Sequence, residues 1–481
     1  MNRRKVFHTV GKINVLNSLM MLIPMVVSII YREKCAFAFL AAAVASFIFG
    51  FALSHFAKIK DNSIYAKEGF VIVVLTWLTL SVFGALPFVI SGEISSFIDA
   101  FFETVSGFTT TGASILTNVE SMSKGLLFWR SFTHWIGGMG VLVFVMAFLP
   151  NVSDRSMHIL KAEMPGPTVD KFVPKARDTA KILYLMYFVM TIVEVVLLLL
   201  GGMSLYESLL HSFATAGTGG FGILSDSIGS YNSYIQWVIT IFMFLFGINF
   251  NLYYLLLLKR VKYVFKSTEL WVYTGIVLVS IAIITANIYS TTSGFAEAIR
   301  LSSFQVSSII TTTGFSTVDF NLWPTFSKSI LVILMFIGAC AGSTGGGLKV
   351  SRLIMLVKLV GMEIKRMIRP RSVISMRFEG KEIDENTQRS VAVYFAVYMF
   401  SFFAIFLILT LENFDFETTF TAAVACFNNI GPGLGQVGPM GSFSLFSDFS
   451  TFILSIAMLL GRLEIFPMLI ALSPSVWIKK Q

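Results

Sequence analysis

Four stretches of this chain are apolar for about three helical turns and then end in small polar residues and a glycine. They are FIDAFFETVSGFTTTGAS (Phe97 to Ser114), LYESLLHSFATAGTGGFG (Leu205 to Gly222), FAEAIRLSSFQVSSIITTTGFST (Phe295 to Thr317) and FETTFTAAVACFNNIGPGLG (Phe416 to Gly435). Aligned on the glycine, their ends read Thr109-Thr110-Thr111-Gly112, Gly217-Thr218-Gly219-Gly220, Thr311-Thr312-Thr313-Gly314 and Asn428-Asn429-Ile430-Gly431. Carbonyl rings replace the water shell of a monovalent cation without fixing a counter-charge. Glycine reaches the conformations that aim carbonyls inward, and Thr or Asn adds side-chain oxygens. A divalent ion would call for carboxylates in the ring, and the four turns contain none. Non-helical backbone at membrane depth survives only inside protein or against a watery cavity. One such turn alone reads equally well as a structural plug, but four around one axis predict a pore for a monovalent cation.

A second cluster lies in GACAGSTGGGLKVSRL, where Gly342, Ser343, Thr344, Gly345, Gly346 and Gly347 interrupt an apolar helix. Each glycine there costs about 1 kcal/mol, so the helix should break. A nucleotide-binding loop needs G-x-x-x-x-G-K-[ST] after a strand, whereas Leu348 follows the last glycine and both flanks are apolar. Packing of a neighbouring helix on a glycine face is one reading of the cluster. Arg462, in LLGRLEIFP, falls within the last apolar run. An arginine at mid-membrane costs at least ~2.5–3.5 kcal/mol and needs partners, and Glu464 is one candidate. His134, in THWIGGMG, has too few companions for a metal site and reads as helix packing beside Gly137, Gly138 and Gly140. Cys35, Cys340 and Cys426 show no pairing pattern.

These residues need a bilayer to position them. Of 481 residues 55% are hydrophobic and only 13% charged, too apolar for a water-facing surface. Apolar runs of the length that crosses a ~30 Å core fall near Val15 to Ile30, Ala36 to Phe56, Gly69 to Ser91, Trp129 to Leu149, Ile182 to Leu200, Tyr234 to Leu258, Glu269 to Tyr289, Ser329 to Leu359, Val391 to Leu411 and Phe449 to Leu472. About ten crossings are expected, and the N-terminus, lacking a cleavage site, is expected to be retained. The plan is span, short helix, glycine turn, span, four times over. It divides the chain into an N-terminal pair of spans (1–66) and repeats at 67–155, 156–262, 263–375 and 376–481.

Basic residues gather in alternate loops: Lys58, Lys60 and Lys67; Lys161, Lys171, Lys175 and Arg177; Lys259, Arg260 and Lys262; Lys365, Arg366, Arg369, Arg371 and Arg377; Lys479 and Lys480. By the positive-inside rule these loops and both termini are cytoplasmic. The net charge of +9 is then mainly a topology signal, and no nucleic-acid partner is expected. The basic loops around Lys161 to Arg177 and Arg366 to Lys381 exceed what topology requires and read as solvated faces or docking surfaces. Asp99, Glu207 and Glu417 stand near the starts of short helices, where they cap or concentrate cations. No nucleophile, base and metal constellation points to an enzyme. A Na⁺- or H⁺-coupled carrier is the alternative to a channel-like pathway. Such carriers tend to hold buried carboxylates, and the buried acid far from a span end, Glu194, reads as packing or interfacial.

In this fourfold plan, with TTTGAS, GTGGFG, TTTGFS and NNIGPG at the turns, the chain resembles the Trk/Ktr/HKT superfamily of potassium transporters. The extra N-terminal spans, HWIGGMG (His134 to Gly140) and GSTGGG (Gly342 to Gly347) look most like its bacterial TrkH branch, and the resemblance covers essentially the whole chain. It implies an all-α polytopic fold with pseudo-fourfold symmetry around one pore, in the bacterial cytoplasmic membrane. It implies that Gly112, Gly220, Gly314 and Gly431 mark a selectivity filter. The backbone of Thr110, Thr111, Thr218, Gly219, Thr312, Thr313, Asn429 and Ile430 would coordinate K⁺, the transported ion, with no covalent cofactor. Only the first glycine of the Thr-Val-Gly-Tyr-Gly filter of tetrameric channels is common to all four repeats, which suggests fewer ion sites. The resemblance further implies that Gly342 to Gly347 form a gating loop beneath the filter, with Arg462 beside it binding loop carbonyls and repelling ions. The implied partners are a second copy of the chain, each copy holding its own pore, and a cytosolic nucleotide-binding regulatory ring of the TrkA type.

Overall fold

The computed structural model describes residues 1–57, 66–140, 176–371 and 375–477. In hydrocarbon each backbone amide must find its partner within its own segment, so apolar runs fold as helices. Arg3–Ile30, Cys35–Phe56, Lys67–Ser91, Ala180–Leu200, Thr268–Thr291 and Glu385–Glu412 are each long and apolar enough to cross a bilayer. Their outer faces carry bare apolar side chains, among them Phe37, Leu200 and Phe400, each more than 70% exposed. Such a surface suits lipid rather than water. The first of these helices starts well before Val15, at Arg3, capped by the Asn2 side chain.

Ten continuous crossings are not what forms. Among the described residues six helices qualify, or up to eight if each bent pair counts as one span. The run over Tyr234 to Leu258 is two helices, Ser233–Phe246 and Phe250–Leu257, meeting at 90°. The run over Phe449 to Leu472 is Asp448–Arg462 and Phe466–Leu472, meeting at 117°. The run over Ser329 to Leu359 is Thr325–Ile337 and Val350–Ile368 with residues 338–349 between them. The run over Trp129 to Leu149 is helical over Lys124–Gly138, and its part from 141 onward lies outside the described residues.

Local chemistry explains the bends. Asn249 accepts a hydrogen bond from the Asn251 amide and so starts a new helix after the first break. At the other bend Glu464 takes a left-handed φ of 53° and Pro467 sits in the first turn that follows. Four short helices complete the repeats: Phe97–Phe108, Leu205–Gly217, Phe295–Ile310 and Phe416–Phe427. Twelve residues of helix cover about 18 Å, so each such helix reaches roughly to the middle of the bilayer. A small hairpin, Arg377–Phe378 paired with Lys381–Glu382, links the third and fourth repeats. Lys58, Lys60, Lys161, Lys171, Lys175, Lys479 and Lys480, and the side chain of Arg177, lie outside the described residues.

Candidate functional site

The four short helices finish alike, and three of them start alike. Ser96, Ser204 and Asp415 cap three of them through side-chain oxygens, and Glu207 closes a capping box with Ser204. Glu207 therefore serves its helix end, and Glu417 pairs with Lys328 at 2.9 Å. At the far ends, Thr110, Thr218, Thr312 and Asn429 all take φ between 55° and 57°, and the glycine two residues later is again left-handed in every case. The next amide in each turn bonds back to the helix: Thr111 N to Ser106 O, Gly219 N to Ala214 O, Thr313 N to Ser308 O and Ile430 N to Ala425 O, all 2.8–2.9 Å. This is the Schellman closure, in which glycine is the usual left-handed residue. A β-branched threonine there costs about 1–2 kcal/mol, yet three of the four repeats accept it.

The turns close on one another. A Cβ on Gly112 would collide with the carbonyl oxygen of Gly219, one on Gly220 with that of Thr313, and one on Gly314 with that of Ile430. Gly431 in turn abuts the Thr111 carbonyl. The succession runs from first repeat to second, third, fourth and back to the first, so all twelve residues expected at the turns come together. Above the ring a cavity of about 290 Å³ is lined by Gly112, Gly220, Gly314 and Gly431 together with Ser114, Ser225 and Ser316. Each short helix points its C-terminal end, partially negative by its dipole, at the ring.

Charged and polar side chains brace the ring from behind. Glu103 accepts from Arg130 Nε at 2.7 Å, Ser114 Oγ at 3.0 Å and the Ile115 amide at 3.1 Å, with both partners of the ion pair buried. The Arg130 guanidinium also lies 4.0 Å from the centre of the Phe221 ring. Removing one partner of a buried pair strands the other charge, at about 3–5 kcal/mol. Arg130→Ala is thus expected to lower the thermal midpoint of the solubilised protein sharply, and an unchanged midpoint would show that the brace carries no load. His134 is fully buried, its Nδ1 2.8 Å from Gly107 O, its ring against Gly219 and its carbonyl and Cβ against Gly217. It packs, as expected, and what it packs is the second turn against the first short helix. Glu194 is not interfacial: it is fully buried beside Thr215 with neither carboxylate oxygen hydrogen-bonded.

Beneath the ring, residues 338–349 leave their helix and return to it. Lys349 N bonds to Ile337 O at 2.9 Å and Val350 N to Ala339 O at 3.1 Å, so the two ends of the excursion lie side by side. Gly346 N donates to Thr312 Oγ1 at 2.7 Å, and Gly345 and Gly346 press against the Thr311 and Asn428 carbonyls. A side chain at either position would push the loop off the turns. Gly342 O accepts from Phe250 N at 3.0 Å, Cys340 N donates to Gly247 O at 3.1 Å and Thr344 Oγ1 to Phe246 O at 3.3 Å. Ser343 Oγ closes on Cys340 O at 2.7 Å. The break in the second repeat thus serves as a socket for the loop.

Arg462 sits at the bend of the last repeat, at the end of its helix instead of inside a straight span. Its guanidinium donates to Thr344 O and Gly138 O at 2.7 Å each, and to Gly137 O. Glu464, the candidate partner from sequence, bonds Arg352 at 2.7 Å, because the left-handed turn at Glu464 redirects its side chain. Lys349 escaped the sequence analysis. It is fully buried, left-handed at φ 78°, and its Nζ donates to Gly345 O. Like Arg462 it is a cation inside an apolar run, and that is the signal that marks it in the sequence. A cavity of about 30 Å³ lies around Gly345, Gly346, Lys349 and Arg462, small beside the one of about 290 Å³ above the ring.

The whole chain has known relatives. The family model described as TrkH, cation transport protein, matches residues 36–270 and 263–479. The Trk system potassium uptake protein TrkH of Escherichia coli (strain K12) is 36% identical over 99% of this chain and 100% of its own length. That of Halomonas elongata is 31% identical over 100% of both chains. The crystal structure of the potassium transporter TrkH from Vibrio parahaemolyticus superposes with a TM-score of 0.90 at 32% identity, covering 99% of this chain and 100% of that one. On sequence, fold and the matched length alike, this chain belongs to the TrkH family of cation transport proteins.

Proposed function

We propose that this chain takes up potassium through one gated, channel-like pore, with the ring of four turns as its selectivity filter and residues 342–347 as its gate. Closure of the ring carries this reading. The carbonyl oxygens of Gly219, Thr313, Ile430 and Thr111 each lie against the glycine of the neighbouring turn, and there is no carboxylate among the turn residues. Such a ring replaces the hydration shell of a monovalent cation. The membrane potential drives entry, worth about 2.3 kcal/mol per charge per 100 mV. Arg462 and Lys349 hold the loop under the ring and place positive charge on the path while it is shut.

The basic loops support a bacterial cytoplasmic-membrane location with both termini inside. The relatives' name, Trk system, supports a multi-component assembly, which we read as a homodimer of pore subunits under a TrkA-like nucleotide-binding regulator. Rubidium uptake into potassium-loaded liposomes tests the transport reading. Uptake is expected with the regulator supplied and with no Na⁺ or pH gradient. A strict requirement for either gradient would replace it with coupled transport.

A further inference from the structure

We propose that Glu269 and Glu379 are positioning residues for the intramembrane loop, forming a carboxylate latch whose handle is the hairpin at 377–382. This rests on the gating role given to the loop above. One oxygen of Glu269, Oε1, accepts from Ala341 N at 2.7 Å and from Ser351 N at 3.1 Å. These two amides stand at the two feet of the loop, so a single buried carboxylate staples its entry to its exit. Glu269 lies in the first turn of the helix Thr268–Ile288. That helix end is held in turn by Glu379 Oε1, which accepts from Glu269 N at 2.9 Å and Ser267 Oγ at 3.2 Å.

The hairpin is built for this reach. Glu379 and Gly380 form its two-residue turn, with φ of 49° and 74°. Two left-handed residues in succession favour Asn, Asp or Gly at the first position, and glutamate there is an unfavourable choice by local preference. Strain of this kind is kept where a side chain must be aimed, and here the aim is the start of the latch helix. The hairpin also grips the far side of the loop: Lys358, on the helix Val350–Ile368 that continues from it, donates its Nζ to Arg377 O at 2.8 Å. Phe378 and Ile383 are buried, whereas Arg377, Lys381 and Glu382 are exposed. A cavity of about 740 Å³ between the hairpin and the loop's feet, lined by Glu269, Ala341, Ser351 and Glu379, leaves room for the hairpin to move. Displacing the hairpin withdraws Glu379, frees the latch helix and loosens both feet of the loop.

The test uses the full chain in liposomes with no other protein present, reading rubidium uptake and the preference for rubidium over sodium. Glu269→Ala is expected to raise uptake about tenfold, through loss of the acceptor that holds the Ala341 and Ser351 amides, and Glu379→Ala to raise it by a smaller factor. Glu269→Gln, which keeps an acceptor oxygen, should stay near wild type. The double alanine variant should not exceed Glu269→Ala, because both act on one latch. Ion preference should be unchanged throughout, since the ring is untouched. Should Arg462→Ala open the pore in the same assay while Glu269→Ala and Glu379→Ala stay closed, the latch is wrong and the gate stands. Should Arg462→Ala also stay closed, the gate fails and the latch with it. Uptake that rises with loss of ion preference, or a Gln variant as open as the Ala variant, would likewise overturn the latch. If Glu269→Ala does not reconstitute, Glu379→Ala, altered on the exposed hairpin, decides alone.

Discussion

Gly314→Ala is expected to abolish selective rubidium uptake while leaving the protein in the membrane. The residue is left-handed at φ 86°, and an added Cβ would collide with the Ile430 carbonyl and lie 3.0 Å from Pro432 Cδ. The obstacle is backbone of the neighbouring repeat, which cannot rotate away as a flexible side chain would. The left-handed penalty of about 1–2 kcal/mol adds to an overpacking cost of about 1–3 kcal/mol. The cheapest relief is to turn the Ile430 carbonyl off the axis. A loss of about 2–3 kcal/mol in ion stabilisation corresponds to roughly a hundredfold in uptake. Gly220→Ala, pressed against the Thr313 carbonyl, should behave alike. Rubidium and sodium uptake into liposomes checks both variants, and wild-type rate and preference in either would remove that turn from the filter.

Arg462→Ala should act in the opposite direction, raising uptake in the absence of any regulator. Its guanidinium spans the loop at Thr344 and the end of the first repeat's second helix at Gly137 and Gly138. Hydrogen bonds from a charged donor are worth about 1.5–3 kcal/mol each. Losing the one to Thr344 alone favours the displaced loop by about tenfold or more. Arg462→Lys should fall between, because a point charge cannot fork across three carbonyls as a planar guanidinium does. Shortening Gly345 to Gly347 should also raise basal uptake, since Gly345 and Gly346 fill the space under Thr311 and Asn428. Regulator-free uptake unchanged in both the alanine and the shortened variants would leave the loop as packing only.

The turns were legible in the sequence because the requirement is local. A glycine that must be left-handed, preceded by small oxygen-bearing residues, repeats four times and can be aligned by eye. The left-handed residue two positions earlier was not legible, because threonine and asparagine stand where local preference asks for glycine, and only the packed ring holds them there. The glycine loop was found by its density. The bends after Phe246 and Arg462 were missed, since hydropathy reads the same on both sides of a lone glycine or a buried turn.

Partners far apart in sequence were beyond reach. Glu103 meets Arg130, and Glu269 meets Ala341 and Ser351, only once the helices pack. Proximity in sequence even misled: Glu464 is two residues from Arg462, and a positive φ of 53° turns it to Arg352 instead.

The most direct measurement is anomalous scattering from rubidium in crystals of this protein. A peak is expected on the axis enclosed by the carbonyls of Thr111, Gly219, Thr313 and Ile430, with none in the narrow space around Lys349 and Arg462 while the loop is in place. Rubidium bound elsewhere, with the ring empty at saturating concentration, would contradict a carbonyl filter built from the four turns.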